Sequence, residues 1–409
     1  MPTIAQDLIT VENVLKEEYL PFVNNMLTVT PSPFLEMVKK VPLTASTGKF
    51  GTRTGIGGGF GMSEERQPTP KANAPLYKKF NYESKDAYVD IQISHKDVKL
   101  GQTDRSALIN TVQDAMDASY EAANWNVARM LFGDGSGKLA NITAAVSTDS
   151  NIITVDDTTY LIEGLVVDIY APSAAVDSAP STSAVQIIAI DHGTKNVTLS
   201  SNPSAALSSA SSGAYGFITV QNSYGREITG LKSIFDASVA NLYGLAKASN
   251  PWIKPYTSSA GNDIDDTKLT DAVAWARDKK NAKIDLIMMG DAAFRAYEYY
   301  MKESQNNVTL VEKRKFTGGA VGYEILAGQQ LVTIVRERFI PAGNAWGVDT
   351  TQFELRHTGW DFATHQSSIF TLRPDTSVYR ALLANYMELV CKNPGGCIEL
   401  TNCQTAQTP

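Results

Sequence analysis

The sequence predicts an α+β chain, and three features predict it: one helical periodicity of unusual length, one strand of strict alternation ahead of it, and a series of short β-branched runs behind it. Residues 6–20 can form an amphipathic helix, after which Pro21, Pro31 and Pro33 break the chain into an extended arm over residues 1–44. Residues 45–95 read as a long hairpin. Val89, Ile91 and Ile93 alternate with Tyr88, Asp90 and Gln92, as in a half-buried strand, and the sequence ahead of the Gly/Pro-rich middle is expected to pair with it. In that middle, "GIGGGFG" has the glycines of a nucleotide loop but no helix after it, so it reads as a plain loop.

Leu108, Ile109, Val112, Met116, Tyr120, Ala123, Val127, Met130 and Leu131 then recur at three and four residues. That spacing lines one face of a helix on the order of 25 residues, about 40 Å long. "RMLFGDGSGKL" at its end looks like a phosphate cradle, yet the cradle needs glycine and a hydroxyl where Phe132 and Leu139 stand. Gly133 is instead placed to stop the helix with a positive φ.

Residues 141–222 change character. "NIITVDD", "LVVDIYA", "AVQIIAIDHGTKNVTLSS" and "GFITV" read as short strands between turns, so this segment is expected to be a small inserted β-domain, peripheral and separable from the rest. It holds seven acidic residues, Asp149, Asp156, Asp157, Glu163, Asp168, Asp177 and Asp191, against Lys195 alone, which is 7 - 1 or a charge of -6. Over residues 223–330, Leu269, Ala272, Val273 and Ala276 mark a helix behind Asp265 and Asp266, "IDLIMMG" a strand, and Asp291 an N-cap for "AAFRAYEYYMKES". From residue 308 the chain returns to strands, in "VTLVEK", "EILAGQQLVTIVRERFI", "NAWGVDTTQFELRHT", "SSIFTLR" and "RALLANYMELVCKNP", the last three lying in residues 331–409.

A net charge of -7 argues against a protein that binds nucleic acid by a basic patch. No apolar run approaches a membrane span, and "MPT" opens no signal peptide, so a cytoplasmic origin is expected. Cys391, Cys397 and Cys403 match no zinc spacing and are expected to be free. His95, His192, His357 and His365 are too scattered for a metal or acid–base pair, and "NDIDD" lacks the ligand spacing of a calcium loop and fits helix capping better. Neither catalytic residues, nor a metal, nor a cofactor is expected.

An arm, a Pro/Gly-tipped hairpin, a long helix, a compact α/β unit and a late sheet, in that order, resemble the major capsid protein of tailed bacteriophages. The phrases "GLKSIFD", "IDLIMMGDAAFRAY", "ERFIPAGNAWGVDTTQFEL" and "YMELVCKNPGGCIEL" support the resemblance. It implies the HK97-like capsid fold: an N-terminal arm (1–44), an extended hairpin loop (45–95), a peripheral domain with its spine helix (96–140), the inserted β-domain (141–222), an axial α/β domain (223–330), and return strands with a C-terminal tail (331–409). It further implies a non-enzymatic subunit that self-assembles through hexameric and pentameric capsomers into an icosahedral head shell enclosing DNA without sequence-specific contacts. Its expected location is the virion, after assembly in the host cytoplasm, and its expected partners are a separate scaffold protein, a portal and decoration proteins. An encapsulin-like compartment and a phage tail or adhesion component are the alternative readings.

Hairpin charges Glu64, Glu65, Arg66, Lys71, Lys78 and Lys79 are, on this resemblance, candidates for contacts between subunits; their plain reading is a solvated surface. Because the arm begins almost at Met1, no long scaffolding segment is expected ahead of it, and the subunit is expected to enter the shell uncleaved. The arm is expected to order only against neighbours.

Overall fold

A computed structural model describes residues 32–55, 58–65, 68, 71–95, 105–208, 210–211, 213–261, 264–304, 314–315, 321–327, 330–363, 371–372 and 377–403. The expected helix over residues 6–20, Pro21, Pro31, Arg66, "VTLVEK", His365 and most of "SSIFTLR" lie outside the described residues. Pro33, expected to break the chain, instead opens a short helix, Pro33–Met37, as its first residue, where its fixed φ and missing N–H cost nothing.

Strands β1 (Lys39–Pro42), β2 (Thr47–Arg53), β3 (Tyr77–Glu83) and β4 (Lys85–Ser94) precede the long helix Arg105–Phe132. The hairpin is β2 with β3, in register from Thr47 opposite Glu83 to Arg53 opposite Tyr77. This corrects the expected pairing of the hairpin with the Tyr88–Ile93 strand. β4 has the expected alternation, with Ile91 buried and Tyr88, Asp90 and Gln92 outward, but its partner is a strand some 290 residues later in sequence, as the ion pair of Asp90 with Arg380 shows (|i−j|=290). Aromatic residues decide the matter. Phe50 on β2 and Phe80 on β3 lie 4.8 Å apart across the ribbon, and Phe80 packs on Tyr243 and Trp252.

The long helix has 28 residues. Met116, Tyr120, Ala123, Val127 and Leu131 are buried on its expected face, and Met130 is half-buried. Gly133 ends the helix, but not by a positive φ: its N–H donates to the Met130 carbonyl at 3.1 Å, and the left-handed glycines are Gly135 and Gly137. The reason is a close approach from another segment. A Cβ on Gly230 would sit 2.5 Å from the carbonyl oxygens of both Met130 and Gly133, so the last turn is covered by Gly230 and only glycine fits there.

β5 (Lys138–Ile142), β6 (Ile152–Thr154), β7 (Val166–Tyr170), β8 (Thr182–Asp191), β9 (Asn196–Leu199) and β10 (Gly216–Val220) form a six-stranded sheet in the order β5-β10-β7-β8-β9-β6. Its two ends meet, since Ile142 bridges Val155 and Thr143 donates to the Thr154 carbonyl at 2.9 Å. The sheet therefore closes on itself around a core of its own, with Ile142, Val167, Ile169, Val197 and Leu199 at 0% exposure. The aspartates that give this segment its charge are largely turn-formers. Asp191 accepts the Gly193 N–H at 2.9 Å in the β8–β9 turn, and buried Asp168 accepts the N–H groups of Ala184 and Asn222, both at 2.8 Å.

After the short helix Leu231–Phe235 and the strand pair β11 (Asn241–Leu242) and β12 (Leu245–Ala246) come β13 (Tyr256–Ser259), helix Asp266–Lys280, β14 (Leu286–Met289) and helix Asp291–Ser304. β15 (Arg314–Lys315), β16 (Val321–Ala327), β17 (Gln330–Arg336), β18 (Ala345–Val348), β19 (Phe353–His357), β20 (Asp361–Phe362), β21 (Thr371–Leu372), β22 (Val378–Cys391) and β23 (Ile398–Thr401) complete the chain. A seven-stranded sheet runs β13-β23-β18-β14-β17-β16-β15, and β22 lies between β19 and β4 in a second six-stranded sheet.

β14 explains its own sequence. Leu286 and Met288 join the main core with Trp346 and Val348, while Ile287 and Met289 join the core under the two helices, so an unbroken apolar run is what a strand covered on both faces requires. Asp265 caps helix Asp266–Lys280, its carboxylate accepting the Lys268 N–H at 2.7 Å. Asp265→Ala is expected to cost about 1 kcal/mol in urea unfolding of the isolated chain; no change would show that the cap contributes nothing. Asp291, expected as an N-cap, is the first residue of its helix instead, and its carboxylate pairs with Arg295 and Arg336.

Candidate functional site

The candidate surface is the projecting hairpin and what stands at its root. β2 and β3 form a sheet of two strands only, and the ribbon continues past them: Thr54 donates to the Leu76 carbonyl and Gly58 to the Asn73 carbonyl, both at 2.8 Å. Its root is fixed, because Phe80 is fully buried and Tyr82 hydrogen-bonds with Arg356 of β19, whose guanidinium also lies over the Tyr82 ring. Its far part is not covered. Phe60 is 91% and Met62 94% exposed, with Leu76 and Tyr77 each at 63%. Phe60 and Met62 lie beyond the last ribbon hydrogen bond and, with Leu76 and Tyr77, leave an exposed group of large apolar side chains.

Among the sequence candidates, Glu64, Glu65, Lys71, Lys78 and Lys79 are all exposed. Lys78 and Lys79 stand on β3 opposite Thr52 and Gly51, whereas Glu64 and Glu65 lie beyond the last ribbon hydrogen bond. Lys71 also lies beyond that hydrogen bond, so the far part of the hairpin carries charges of both signs while Lys78 and Lys79 stand on β3. None of the ion pairs formed among the described residues includes any of the five.

Behind the surface stand charged groups that the sequence did not single out. Arg129, near the end of the long helix, makes a two-pronged pair with Glu227 at 3.0 and 2.5 Å, and both side chains are 4% exposed. Lys247 places its ammonium among the carbonyls of Ser233, Ile234 and Asp236 at 2.7, 3.0 and 2.7 Å, closing the end of helix Leu231–Phe235; burial lowers its pKa against the pull of Asp236. Glu337 accepts the Ser32 hydroxyl at 3.0 Å, and Glu388 accepts the Thr229 N–H at 2.9 Å while its other oxygen has no hydrogen-bond partner among the described residues. Burial pushes both carboxyls up to about 7. Partners far apart in sequence leave no local signal; an isolated charge in an apolar strand, as in "NYMELVC", is the one clue available.

The remaining sequence candidates have ordinary settings. His95 stacks on Tyr379, His192 Nδ1 shares a hydrogen bond with Thr158 at 2.9 Å, and His357 Nδ1 accepts the Gly359 N–H at 3.0 Å. Burial, and secondarily Lys40, lowers the His357 pKa. All three cysteines are free and buried. In the stretch that looked like a phosphate cradle, Asp134 accepts the Ser136 N–H at 2.8 Å and the Lys138 ammonium sits 4.2 Å from the centre of the Phe217 ring. Among the described residues no group of three His, Cys, Asp or Glu converges as metal ligands, and no helix is long and apolar enough to cross a membrane.

No protein-family model and no curated protein sequence matches the chain. Solved structures do. The capsid asymmetric unit of cyanophage A-1(L) aligns over 91% of this chain and 93% of its own with 9% identity and a TM-score of 0.54. An encapsulin complex of Synechococcus elongatus aligns over 93% and 91% with 8% identity and a TM-score of 0.46. A structure from Microbacterium phage Oxtober96 aligns over 90% of each chain with 9% identity and a TM-score of 0.45. The first alignment, end to end and above one half, establishes a shared fold at an identity where sequence no longer reports it.

Proposed function

Because the chain has the HK97-like capsid fold, we propose that it is the shell-forming subunit of a tailed-phage head, assembling through hexameric and pentameric capsomers around DNA. One observation of the molecule itself carries this reading: a rigidly rooted hairpin ends in bare Phe60 and Met62, which a solitary subunit leaves in water and a ring of copies covers. On this reading the subunit performs no catalysis, and a separate scaffold, a portal and decoration proteins join it in the virion. The closed sheet over β5–β10 then stands as a peripheral unit, in keeping with its own core and its surplus of carboxylates.

Electron microscopy of the purified full-length chain, alone and with its scaffold, tests the proposal. Closed shells, or ring-shaped capsomers far heavier than 44.3 kDa, are the expected result. A monodisperse monomer under both conditions, or tubes and fibres in place of shells, would overturn it.

A further inference from the structure

Cys391 and Cys397 bracket the crossover between the two large sheets. Cys391 ends β22, opposite Phe353 of β19, and Cys397 stands directly before β23, its carbonyl accepting the Tyr256 N–H at 3.0 Å. The connection, "CKNPGGC", doubles back through a 3₁₀ turn at Pro394–Gly396, in which the Asn393 carbonyl accepts the Gly396 N–H at 3.1 Å and the Pro394 carbonyl the Cys397 N–H at 3.3 Å. Other segments hold both ends. A Cβ on Gly395 would lie 2.1 Å from the Trp252 carbonyl oxygen, so only glycine fits there, and the Tyr243 hydroxyl accepts the Cys391 N–H at 3.2 Å while donating to the Leu389 carbonyl at 3.0 Å. The chain thus returns beside the point it left, and the Cys391 and Cys397 thiols are hydrogen-bonded neighbours at 0% and 1% exposure.

A single buried thiol behaves as a small, inert hydrophobe. Cys403 is of that kind, its S–H donating to the Leu400 carbonyl at 3.4 Å. Two thiols in contact can react with each other. We infer that Cys391 and Cys397 form a dithiol modification site that a peroxide closes to a disulfide, locking the crossover from β22 to β23 once the chain leaves a reducing compartment. Hydrogen peroxide oxidises one thiol to a sulfenic acid and releases a first water. The sulfur of the second thiol then attacks that sulfur, the S–S bond forms, and the hydroxyl leaves with the thiol proton as a second water. Two electrons pass from the two sulfurs to the peroxide. Burial, and secondarily the neighbouring thiol, holds the Cys391 thiol well above its usual range, so the pair rests in the thiol form and closes slowly. The two residues are close in sequence and the link closes only a short loop, so its effect falls on local opening of the crossover rather than on global stability. None of this depends on the proposed assembly.

Peptide mapping tests it. The folded full-length chain is incubated with hydrogen peroxide, blocked with N-ethylmaleimide and digested with trypsin in the absence of reductant. Trypsin cuts after Arg380 and Lys392, the latter between the two cysteines. Fragments 381–392 and 393–409 are therefore expected to stay joined, about 2 Da below their summed mass for the two hydrogens lost, and to separate with dithiothreitol. Fragmentation of the joined species is expected to place the link at Cys397, and the Cys403→Ser chain to give the same product in the same yield. Fragments that separate without reductant, sulfinic acid in place of a link, or a link to Cys403 overturn the inference. Oxidation in guanidinium supplies the comparison: there Cys403 is expected to compete, and the same mixture from the folded chain would show that no native contact directs the pairing, which also overturns it. Hydrogen exchange reads the lock. Amides of residues 398–401 are expected to exchange at least about three-fold more slowly in the linked chain, with residues 152–154 unchanged; equal rates at 398–401 in linked and reduced chains overturn the locking.

Discussion

Arg129→Met is expected to cost the isolated chain about 3–5 kcal/mol, because it strands the Glu227 carboxylate in a site that is 4% exposed. Glu227→Leu is expected to cost a similar amount by stranding the guanidinium. Both changes together are expected to cost less than either one, since two apolar side chains leave no charge uncompensated. The pair joins residues 98 apart in sequence, the end of the long helix and the chain returning from the closed sheet. Loss of either partner is therefore expected to loosen that junction first, with early hydrogen exchange at residues 227–231. Guanidinium unfolding of the four proteins forms a double-mutant cycle. Additive losses would show that the two groups do not depend on each other, contrary to their geometry.

Stability is expected to fall as pH rises from 4.5 to about 7, through Glu337 and Glu388. Desolvation raises the folded-state pKa of each from 4.5 to about 7, against the hydrogen bonds from Ser32 and Thr229 that favour the ionised form. A carboxyl raised in the folded state holds a proton that the unfolded chain releases. Its contribution is complete below 4.5 and is lost as pH climbs through about 7, a swing of roughly 3 kcal/mol for each group. His357, lowered by burial, works in the opposite sense over part of this window. Comparison with Glu388→Gln removes that contribution, because the histidine is common to both proteins. The variant is expected to match the parent near pH 4.5 and to exceed its stability by roughly 2–3 kcal/mol at pH 8. Parallel pH profiles for the two proteins would show that Glu388 ionises freely in the folded state. Glu337→Gln is expected to behave alike, with the added consequence that the Ser32 contact no longer strengthens as pH rises.

Periodicity served where a segment had one buried face. The long helix, the β4 alternation, the strands of residues 141–222 and the Asp265 cap were all legible, because burial on one side writes a period of 3.6 or 2 into the chain and capping needs a specific side chain at one position. Pairing was not legible. Which strand joins β2 depended on Phe80 meeting Phe50, Tyr243 and Trp252, residues on three separate segments. Gly133 looked like a left-handed stop for the same reason: nothing near it in sequence announces that Gly230 comes to cover the helix end.

Of the candidate surface, the sequence alone determined that a Gly/Pro-tipped hairpin carries both charges and apolar residues that it cannot bury itself. Tertiary structure decided that Glu64, Glu65 and Lys71 lie in its far part and Lys78 and Lys79 on β3, and that Phe60 and Met62 are bare. The division has a physical cause. Local pattern records whether a residue faces water or protein, a property of one segment, while cavities, buried ion pairs and raised carboxyl pKa values arise where segments remote in sequence exclude water together.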